Sequence, residues 1–290
     1  MDQLEYIDTH VHFYDMQHPE LFYAHWQPDV IHPFLGTQTR KLSETNFLAE
    51  DYIAETQSSN VVAAVHVQAA IGSKDPVKET AWLQSAADKY DFPQAIIAYA
   101  NLKSPQVEKT IARHCNYKNM RGIRDFSFGD YLVNSDFHRG FSILEKYKLI
   151  ANVSVTWKDM DKLVREADKF PYTKIVIDHC GFPEERSPEY YQKWQSSISI
   201  ASKANNIICK ISGLGMGDNQ WTPHSIKPYV MHCIETFGIE RCIWGSNWPI
   251  DKLWSSFEDL VTAYKEITLG FSADEKTALF AQNAVSLYRI

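Results

Sequence analysis

The chain's repeating pattern begins with YIDTHVHFYD at residues 6–15, an apolar segment that runs into a histidine pair. In an extended chain, side chains alternate between two faces, so His10 and His12 point to the same side. Two imidazoles on one face can hold a metal ion or can bind a carbonyl or carboxylate oxygen directly. One structural histidine beside an incidental one is the simpler alternative. The rest of the chain must decide between these interpretations.

Seven further apolar segments follow, and each precedes residues with helical spacing. Their β-branched residues are typical of strands buried on both faces of a parallel sheet. Strands that alternate with helices predict parallel units, and eight such units predict an α/β fold of the (β/α)8 TIM barrel type. We expect a single domain over residues 1–290. The later predicted strands lie at residues 60–70, 94–100, 121–125, 149–155, 174–179, 206–211 and 241–246.

Composition and charge indicate a globular protein and argue against nucleic-acid binding. The 290 residues are 44% hydrophobic and 22% charged, which suits a globular domain with a sizeable core. The net charge of −7 without a basic run argues against a nucleic-acid partner. No stretch is long and apolar enough to span a membrane, and five dispersed cysteines predict reduced thiols in a cytoplasmic protein. A homo-oligomer formed through aromatic surface loops is compatible with the sequence.

Polar residues collect at the predicted carboxyl ends of the strands, where such barrels carry their chemistry. His179 follows an apolar strand and could complete a three-histidine set with His10 and His12. Such a set can hold Zn²⁺ and leave one position open for water. The other polar residues at these ends are His66, Gln68, Arg121, Arg124, Asp125, Asp178, Lys210, Ser212, Ser246, Asn247 and Asp251.

The basic residues among them predict a small anionic substrate. Arg121, Arg124 and Lys210 could bind a carboxylate, since an arginine fork matches a carboxylate in a bidentate manner. Ordinary salt bridges within the barrel are the alternative for any one of them. His66 and Gln68 are further candidate substrate contacts.

A long aromatic loop at residues 14–45 follows the histidine pair. Loops of this length in compact domains are usually functional or disordered, and the aromatic content argues against disorder. We therefore expect a lid over the site, with Trp26 as a substrate contact. Aromatic packing over one end of the fold is the alternative.

The chain resembles the amidohydrolase superfamily, and more narrowly the amidohydrolase-related branch that includes sugar-acid lactonases and pyrone dicarboxylate lactonase. The likeness extends over the whole chain in order, so it is specific for fold and branch but not for substrate. The matching segments are IDTHVHFYD at 7–15, VHVQA at 65–69, DPVKETAWL at 75–83, RGIR at 121–124, IDHCG at 177–181, KISGL at 210–214, WGSNWP at 244–249 and NAVSLY at 283–288.

The resemblance implies that His10, His12 and His179 contact either a divalent metal or the substrate. It also implies an aspartate in a Gly-Ser-Asp-Trp-Pro motif after the last strand, where this chain has Asn247. An amide is a poor metal ligand and cannot take a proton from water. The family's metal-bridging lysine on the fourth strand is also missing, since that segment reads Gly-Ile-Arg at 122–124. A binuclear metal centre is therefore not expected.

Two mechanisms fit these residues. In the first, His10, His12 and His179 hold one Zn²⁺ or another divalent ion that activates water, and Asp251 or Asp125 accepts the proton. In the second, no metal takes part, and histidines and arginines polarise a lactone carbonyl, as metal-free lactonases of the branch imply. We favour the metal-free mechanism because the residues do not complete a four-ligand set.

The function predicted first is hydrolysis of a lactone derived from a sugar acid or a small carboxylated ring. Decarboxylation is the second hypothesis, since relatives in the superfamily use a similar histidine set for that reaction. A catalytically degenerate binding barrel is the third, and Asn247 is the residue that favours it.

Overall fold

In the computed structural model, which describes residues 4–32, 34–127 and 130–290, the strands form one parallel sheet that curls into a barrel. Each strand pairs with the next one along the chain. The predicted (β/α)8 TIM barrel is therefore confirmed. The strands are β1 (Tyr6–Val11), β2 (Val61–Val67), β3 (Ala95–Ala98), β4 (Met120–Arg124), β5 (Ile150–Val153), β6 (Ile175–Ile177), β7 (Ile207–Ile211) and β8 (Cys242–Trp244).

Helices cover the outside of the barrel, where their apolar stripes pack on the outward-facing side chains of the strands. The helices are α1 (Thr39–Ser43), α2 (Ala49–Thr56), α3 (Val77–Tyr90), α4 (Val107–His114), α5 (Ser135–Lys146), α6 (Met160–Lys169), α7 (Pro188–Ala201), α8 (Pro223–Phe237), α9 (Phe257–Ile267), α10 (Ala273–Thr277) and α11 (Asn283–Tyr288).

Several helices begin where the sequence supplies an N-cap side chain. The side chains of Asn134, Ser187, Thr222, Ser256 and Ser272 each accept a hydrogen bond from a backbone N–H of the first helical turn. Such caps satisfy donors that have no partner within the helix. Ser272 and Glu275 form a capping box that opens α10.

The inward-facing side chains change from apolar to polar along the strands. Near the amino ends they form a small apolar cluster that α11 covers, with Ala284 and Tyr288 packed against it. At the carboxyl ends of four successive strands, polar residues replace this apolar layer. The lower cluster contains Ile7, Val65, Val67, Ile97, Ile150, Val176, Ile208 and Ile243, and the polar residues above are Arg124, Asn152, Asp178 and Lys210.

Hydrogen bonds join the last strand to the first near the barrel mouth. The backbone N–H of His12 donates to the carbonyl of Trp248 at 2.7 Å, and the hydroxyl of Thr9 donates to the carbonyl of Trp244 at 2.7 Å. The carboxylate of Asp8 accepts from the backbone N–H of Ser246 at 2.7 Å. Asp8 is thus committed to holding β1 against the loop after β8, and burial raises its pKa to about 6.

The loop after β1 folds back over the barrel mouth. Backbone bridges pair Tyr14 with Phe47 and Tyr23 with Gly72, and they fix both flanks of the loop. The short helix α1 within it was not predicted, and position 33 of the predicted lid lies outside the described residues. The ring of Trp26 stacks on that of Tyr23, with centroids 5.8 Å apart. In the part of the chain that the structure describes, no helix has the length and apolar character needed to cross a bilayer.

Candidate active site

The histidine pair lies at the centre of the barrel mouth. The Nε2 atoms of His10 and His12 face each other at 3.1 Å, and both rings are buried. Nδ1 of His12 lies 2.7 Å from the carbonyl oxygen of Val67. Because a carbonyl only accepts, Nδ1 of His12 carries the proton and Nε2 keeps its lone pair in the neutral ring. Burial lowers the pKa of both histidines well below the usual range, so both rings are neutral at pH 7.

His179 lies on a left-handed turn that directly follows β6. Four consecutive residues of this turn, 179–182, have positive φ angles between 48° and 70°. The turn places the ring of His179 with its centroid 4.3 Å from that of His10. Nδ1 of His179 lies 2.8 Å from the hydroxyl of Ser212, and burial lowers the pKa of His179 to about 3. The structure therefore brings all three predicted histidines together as neutral rings.

Asp178 is the negative centre beneath these histidines. Its carboxylate lies 2.9 Å from Nε of Arg124 and 3.2 Å from Nζ of Lys210, and it accepts a hydrogen bond from Asn152 at 3.0 Å. Nδ1 of His10 lies 3.6 Å away. Burial pushes the pKa of Asp178 upwards, but the charges of Lys210 and Arg124 outweigh it and bring that pKa well below the usual range. Burial also lowers the pKa of Lys210 to about 8.

Asn247 and Asp251 form a second polar pair after β8. Asn247 has a φ of 62°, which turns its side chain into the mouth, and its Nδ2 donates to Oδ1 of Asp251 at 3.2 Å. Asp251 is buried behind Asn247, and this burial raises its pKa to about 8. A carboxyl group with such a pKa is largely protonated at neutral pH.

A cavity that opens to solvent lies above the histidines. Among the described lining residues, Arg124 is the charged one, and the others are imidazoles, amides and apolar side chains. The loops after β1, β6, β7 and β8 all contribute walls. The lining residues are His12, His25, Trp26, His32, Phe34, Leu35, Gln68, Ala69, Ile71, Arg124, Phe126, His179, Phe182, Met216, Asn247 and Ile250.

Three of the six predicted substrate contacts line this cavity, namely Trp26, Gln68 and Arg124. Nε2 of Gln68 is buried and has no protein partner, so a hydrogen-bond donor is left for a ligand. The guanidinium of Arg124 stacks on the ring of Phe126 at 4.3 Å and donates from Nη2 to Ser154 at 3.0 Å. The predicted lid therefore lies over the cavity with Trp26 in its wall.

The other three predicted substrate contacts lie elsewhere. His66 faces outward, where its Nδ1 accepts from the backbone of Phe13 and its Nε2 lies 3.4 Å from Glu79. Position 66 has the parity of Ala64, which packs towards the helices. Arg121 lies at the start of β4, at the amino end of the barrel, where its Nε donates to the carbonyl of Tyr288 on α11.

Lys210 faces inward but is fully buried next to Asp178, and it does not line the cavity. Asp125, one predicted proton acceptor, is also displaced from the histidines. Its carboxylate accepts from the backbone of Leu102 at 2.6 Å and borders a separate small cavity. Lys210 and Asp125 therefore contact other protein groups around the site and not the cavity itself.

The structure adds residues to which the sequence assigned no role. Asp178 organises the charged layer, and Ser212 orients His179. Both had been noted as polar residues at strand ends, and that position was the available signal. His25 and His32 enter from the lid with ring centroids 6.0 Å apart. Burial lowers the pKa of His32 to about 4, so the lid contributes neutral imidazoles.

The three histidines supply only part of the donor set that a zinc ion needs. At a Zn–N distance of about 2.0–2.1 Å, two tetrahedral imidazole ligands have nitrogens roughly 3.3 Å apart, close to the 3.1 Å between His10 and His12. His179 does not complete the set, because within residues 4–32, 34–127 and 130–290 the three histidines do not bring ligand atoms within 4.8 Å of one another. Asn247 stands where a carboxylate ligand would be needed. Two imidazoles alone do not fit a tightly held ion.

Comparisons with known proteins agree with this architecture. A family model described as amidohydrolase matches residues 7–290. The uncharacterized protein y4mH of Sinorhizobium fredii is 34% identical over the full length of both chains. The L-fucono-1,5-lactonase of Burkholderia ambifaria is 27% identical over 98% of this chain and 95% of its own. A crystal structure of a zinc-bound amidohydrolase from Burkholderia multivorans has the same fold, with a TM-score of 0.84, 22% identity and 99% of each chain covered.

Proposed function

The chain belongs to the amidohydrolase family, and on that premise we propose that it hydrolyses the ring ester of a lactone derived from a sugar acid or a small carboxylated ring. The observation that carries the proposal is the neutral His12, whose unprotonated Nε2 lies at a cavity that also presents Arg124 and Gln68. A proton acceptor next to donors for an oxyanion is what ester hydrolysis requires. The likeness to an L-fucono-1,5-lactonase supports the same reaction class.

His12 acts as the proton acceptor in this proposal. A water molecule replaces Nε2 of His10, 3.1 Å away, as the hydrogen-bond partner of Nε2 of His12. Its oxygen attacks the lactone carbonyl, and His12 takes the proton as the new C–O bond forms. The imidazolium then returns the proton to the ring oxygen as the ester C–O bond breaks. Asp178 lies behind His10, and its negative charge favours the transient positive charge on the histidine pair.

Arg124 and Gln68 hold the substrate. Arg124 is the charged residue among the described cavity walls, so it suits a substrate carboxylate or the developing oxyanion. The unpartnered Nε2 of Gln68 supplies a second donor. Asn247 gives its Nδ2 to Asp251, which leaves its amide carbonyl to accept from a substrate hydroxyl. Trp26 and Phe182 provide faces against which a flat ring can pack.

Asp251 is a positioning residue in the proposal. It acts through Asn247, because Asp251 itself does not line the cavity. In this arrangement Asp251 holds the amide of Asn247 in one orientation.

The five unpaired cysteines support the further proposal that the protein works in the cytoplasm.

A lactone screen tests the proposal. Ring opening yields a carboxylic acid that releases one proton at neutral pH, so sugar-acid lactones and carboxylated pyrone lactones can be compared with a pH indicator. We expect turnover of at least one member above the spontaneous rate. A parallel assay for CO₂ release from unsaturated carboxylates tests decarboxylation. Turnover of no lactone would overturn the proposal, and CO₂ release in its place would establish the decarboxylase alternative.

A further inference from the structure

Cysteine side chains converge at a place outside the candidate active site. The Sγ atoms of Cys180, Cys209 and Cys233 all lie within 4.8 Å of one another, and the three side chains are completely buried. They come from three separate elements, namely the turn after β6, strand β7 and helix α8. Cys242 on β8 lies beside them, with its Sγ 3.7 Å from the carbonyl oxygen of Cys233. The fifth cysteine, Cys115, is exposed elsewhere.

The convergence of sulfur atoms is what distinguishes this cluster from ordinary core packing. A buried cysteine is by default a small apolar residue, and alanine or valine would fill the same space. Core packing alone does not require that the sulfur atoms of three side chains, distant in sequence, lie next to one another. With metal–sulfur bonds of about 2.3 Å, a trigonal site has sulfur atoms roughly 4 Å apart. The spacing of the three Sγ atoms is compatible with that geometry.

We propose that Cys180, Cys209 and Cys233 bind a soft monovalent metal cation, Cu(I). Thiolates select Cu(I) and Zn²⁺ among common metals. Structural zinc takes four ligands, whereas in the described part of the chain no fourth histidine, cysteine or carboxylate joins this trio. Cu(I) is satisfied by two or three sulfur atoms, so the trio suits it better.

The charge of the loaded site follows from the protonation of its three sulfur ligands. Binding through two thiolates and one thiol releases two protons and leaves a net charge of minus one. The metal enters and leaves as Cu(I), so no electron donor or acceptor is needed.

The site would also affect the geometry of the barrel mouth. Cys180 directly follows His179 within the left-handed turn 179–182. Gly181 allows this turn, since a Cβ atom there would lie 2.3 Å from the terminal methyl of Met160. A metal ion bound to Cys180 would tie the turn to β7 and α8. Cu(I) loading is therefore expected to stabilise the segment that carries His179.

The experiment is an anaerobic titration of the reduced full-length protein with Cu(I) in competition with a Cu(I)-specific chelator. We expect one Cu(I) per chain, and at least about a hundredfold weaker binding in Cys209→Ala and Cys233→Ala, because loss of a direct ligand exceeds the 10–100-fold effect of losing a ligand's support. Cys242→Ala is the matched buried control and Cys115→Ala the exposed control, and both should bind as the unaltered protein does. Loading should raise the Tm of the unaltered protein and both controls.

Unchanged Cu(I) affinity in Cys209→Ala and Cys233→Ala would overturn the proposal, as would loss of binding in Cys115→Ala. One Zn²⁺ per chain held against excess Cu(I) would overturn the choice of metal. A second measurement does not depend on variants that must fold. At a denaturant concentration that exposes buried thiols, Cu(I) should protect Cys180, Cys209 and Cys233 from alkylation, as mapped by mass spectrometry, while Cys115 reacts freely. Equal alkylation of all of them would contradict the site.

Discussion

The barrel interior has two layers that come from the same strands and serve opposite purposes. Inward positions near the amino ends are apolar, for example Ile150, Val176 and Ile208. Two residues further along those strands, the inward positions are Asn152, Asp178 and Lys210. The lower layer stabilises the barrel by removing apolar surface from water, whereas the upper layer buries charges at a cost in solvation. On each of these strands, a residue that stabilises the fold and a residue that belongs to the site are therefore only two positions apart.

The largest expected effect is that of Asp178→Asn in the upper layer. The change leaves Arg124 and Lys210 buried without their counter-ion, and removal of one partner of a buried pair typically costs about 3–5 kcal/mol. We expect the free energy of unfolding, measured in urea, to fall by that amount and hydrolysis to be lost.

The matched control is Asp161→Asn, which removes an exposed ion pair with Arg165. It should change the free energy of unfolding by no more than about 0.5 kcal/mol. Equal effects of the two variants would show that the upper layer is an ordinary set of salt bridges.

The lower layer is tested by Ile97→Ala. Ile97 is fully buried in the inner apolar cluster, so truncation should lower the free energy of unfolding by about 2–5 kcal/mol. The kcat of the folded fraction should stay near that of the unaltered protein, because Ile97 does not line the cavity. A selective fall in kcat with stability retained would contradict the separation of the two layers.

Two arginines of β4 provide a sharper comparison within one strand. Arg124 lines the cavity, whereas Arg121 binds the carbonyl of Tyr288 at the amino end of the barrel. A charge-assisted hydrogen bond contributes about 1.5–3 kcal/mol, so Arg124→Met should raise KM for a carboxylated lactone at least about tenfold. Arg121→Met should leave kcat/KM within about twofold, because Arg121 does not line the cavity. Both variants should lower stability, since Arg124 is also a partner of buried Asp178. Similar KM values for both variants would show that Arg124 does not bind the substrate carboxylate.

A separate prediction concerns the pH dependence of stability. The pKa of Asp251 is about 8 in the folded protein and about 3.9 in an unfolded chain. The group therefore contributes stability that is fully present below pH 4 and is lost as the pH rises to about 8. Asp251→Asn should gain stability relative to the unaltered protein as the pH increases from 5 to 8, measured by urea unfolding. Parallel pH profiles for the two proteins would show that Asp251 is ionised in the fold.

The sequence predicted the barrel because its strand repeat is a local property of the chain, visible in runs such as residues 174–179. It also predicted that His10, His12, His179 and Asn247 lie together, since carboxyl ends of parallel strands meet at one end of a barrel. It failed at His66 because both faces of a parallel strand are buried, so the sequence does not show which face points into the barrel. It failed at Arg121 because that residue lies near the amino end of β4.

Lys210 and Asp178 show a different limit of the sequence. Lysine at a strand end is equally compatible with a substrate carboxylate and with a protein carboxylate. Which carboxylate the lysine binds depends on the side chain at the end of the neighbouring strand. Here that side chain is Asp178, whose carboxylate lies 3.2 Å from Nζ of Lys210. Such partners are tertiary contacts, and no local pattern encodes them.

The central claim is that neutral His12 accepts the proton of the attacking water. It is tested most directly by steady-state hydrolysis of the preferred lactone by His12→Asn, with the exposed His224→Asn as control. Asparagine can still donate to the carbonyl of Val67 but cannot accept a proton. Loss of general-base catalysis predicts a kcat that is lower by about 10²–10⁴-fold in His12→Asn and unchanged in His224→Asn. A folded His12→Asn variant with the kcat of the unaltered protein would contradict the account.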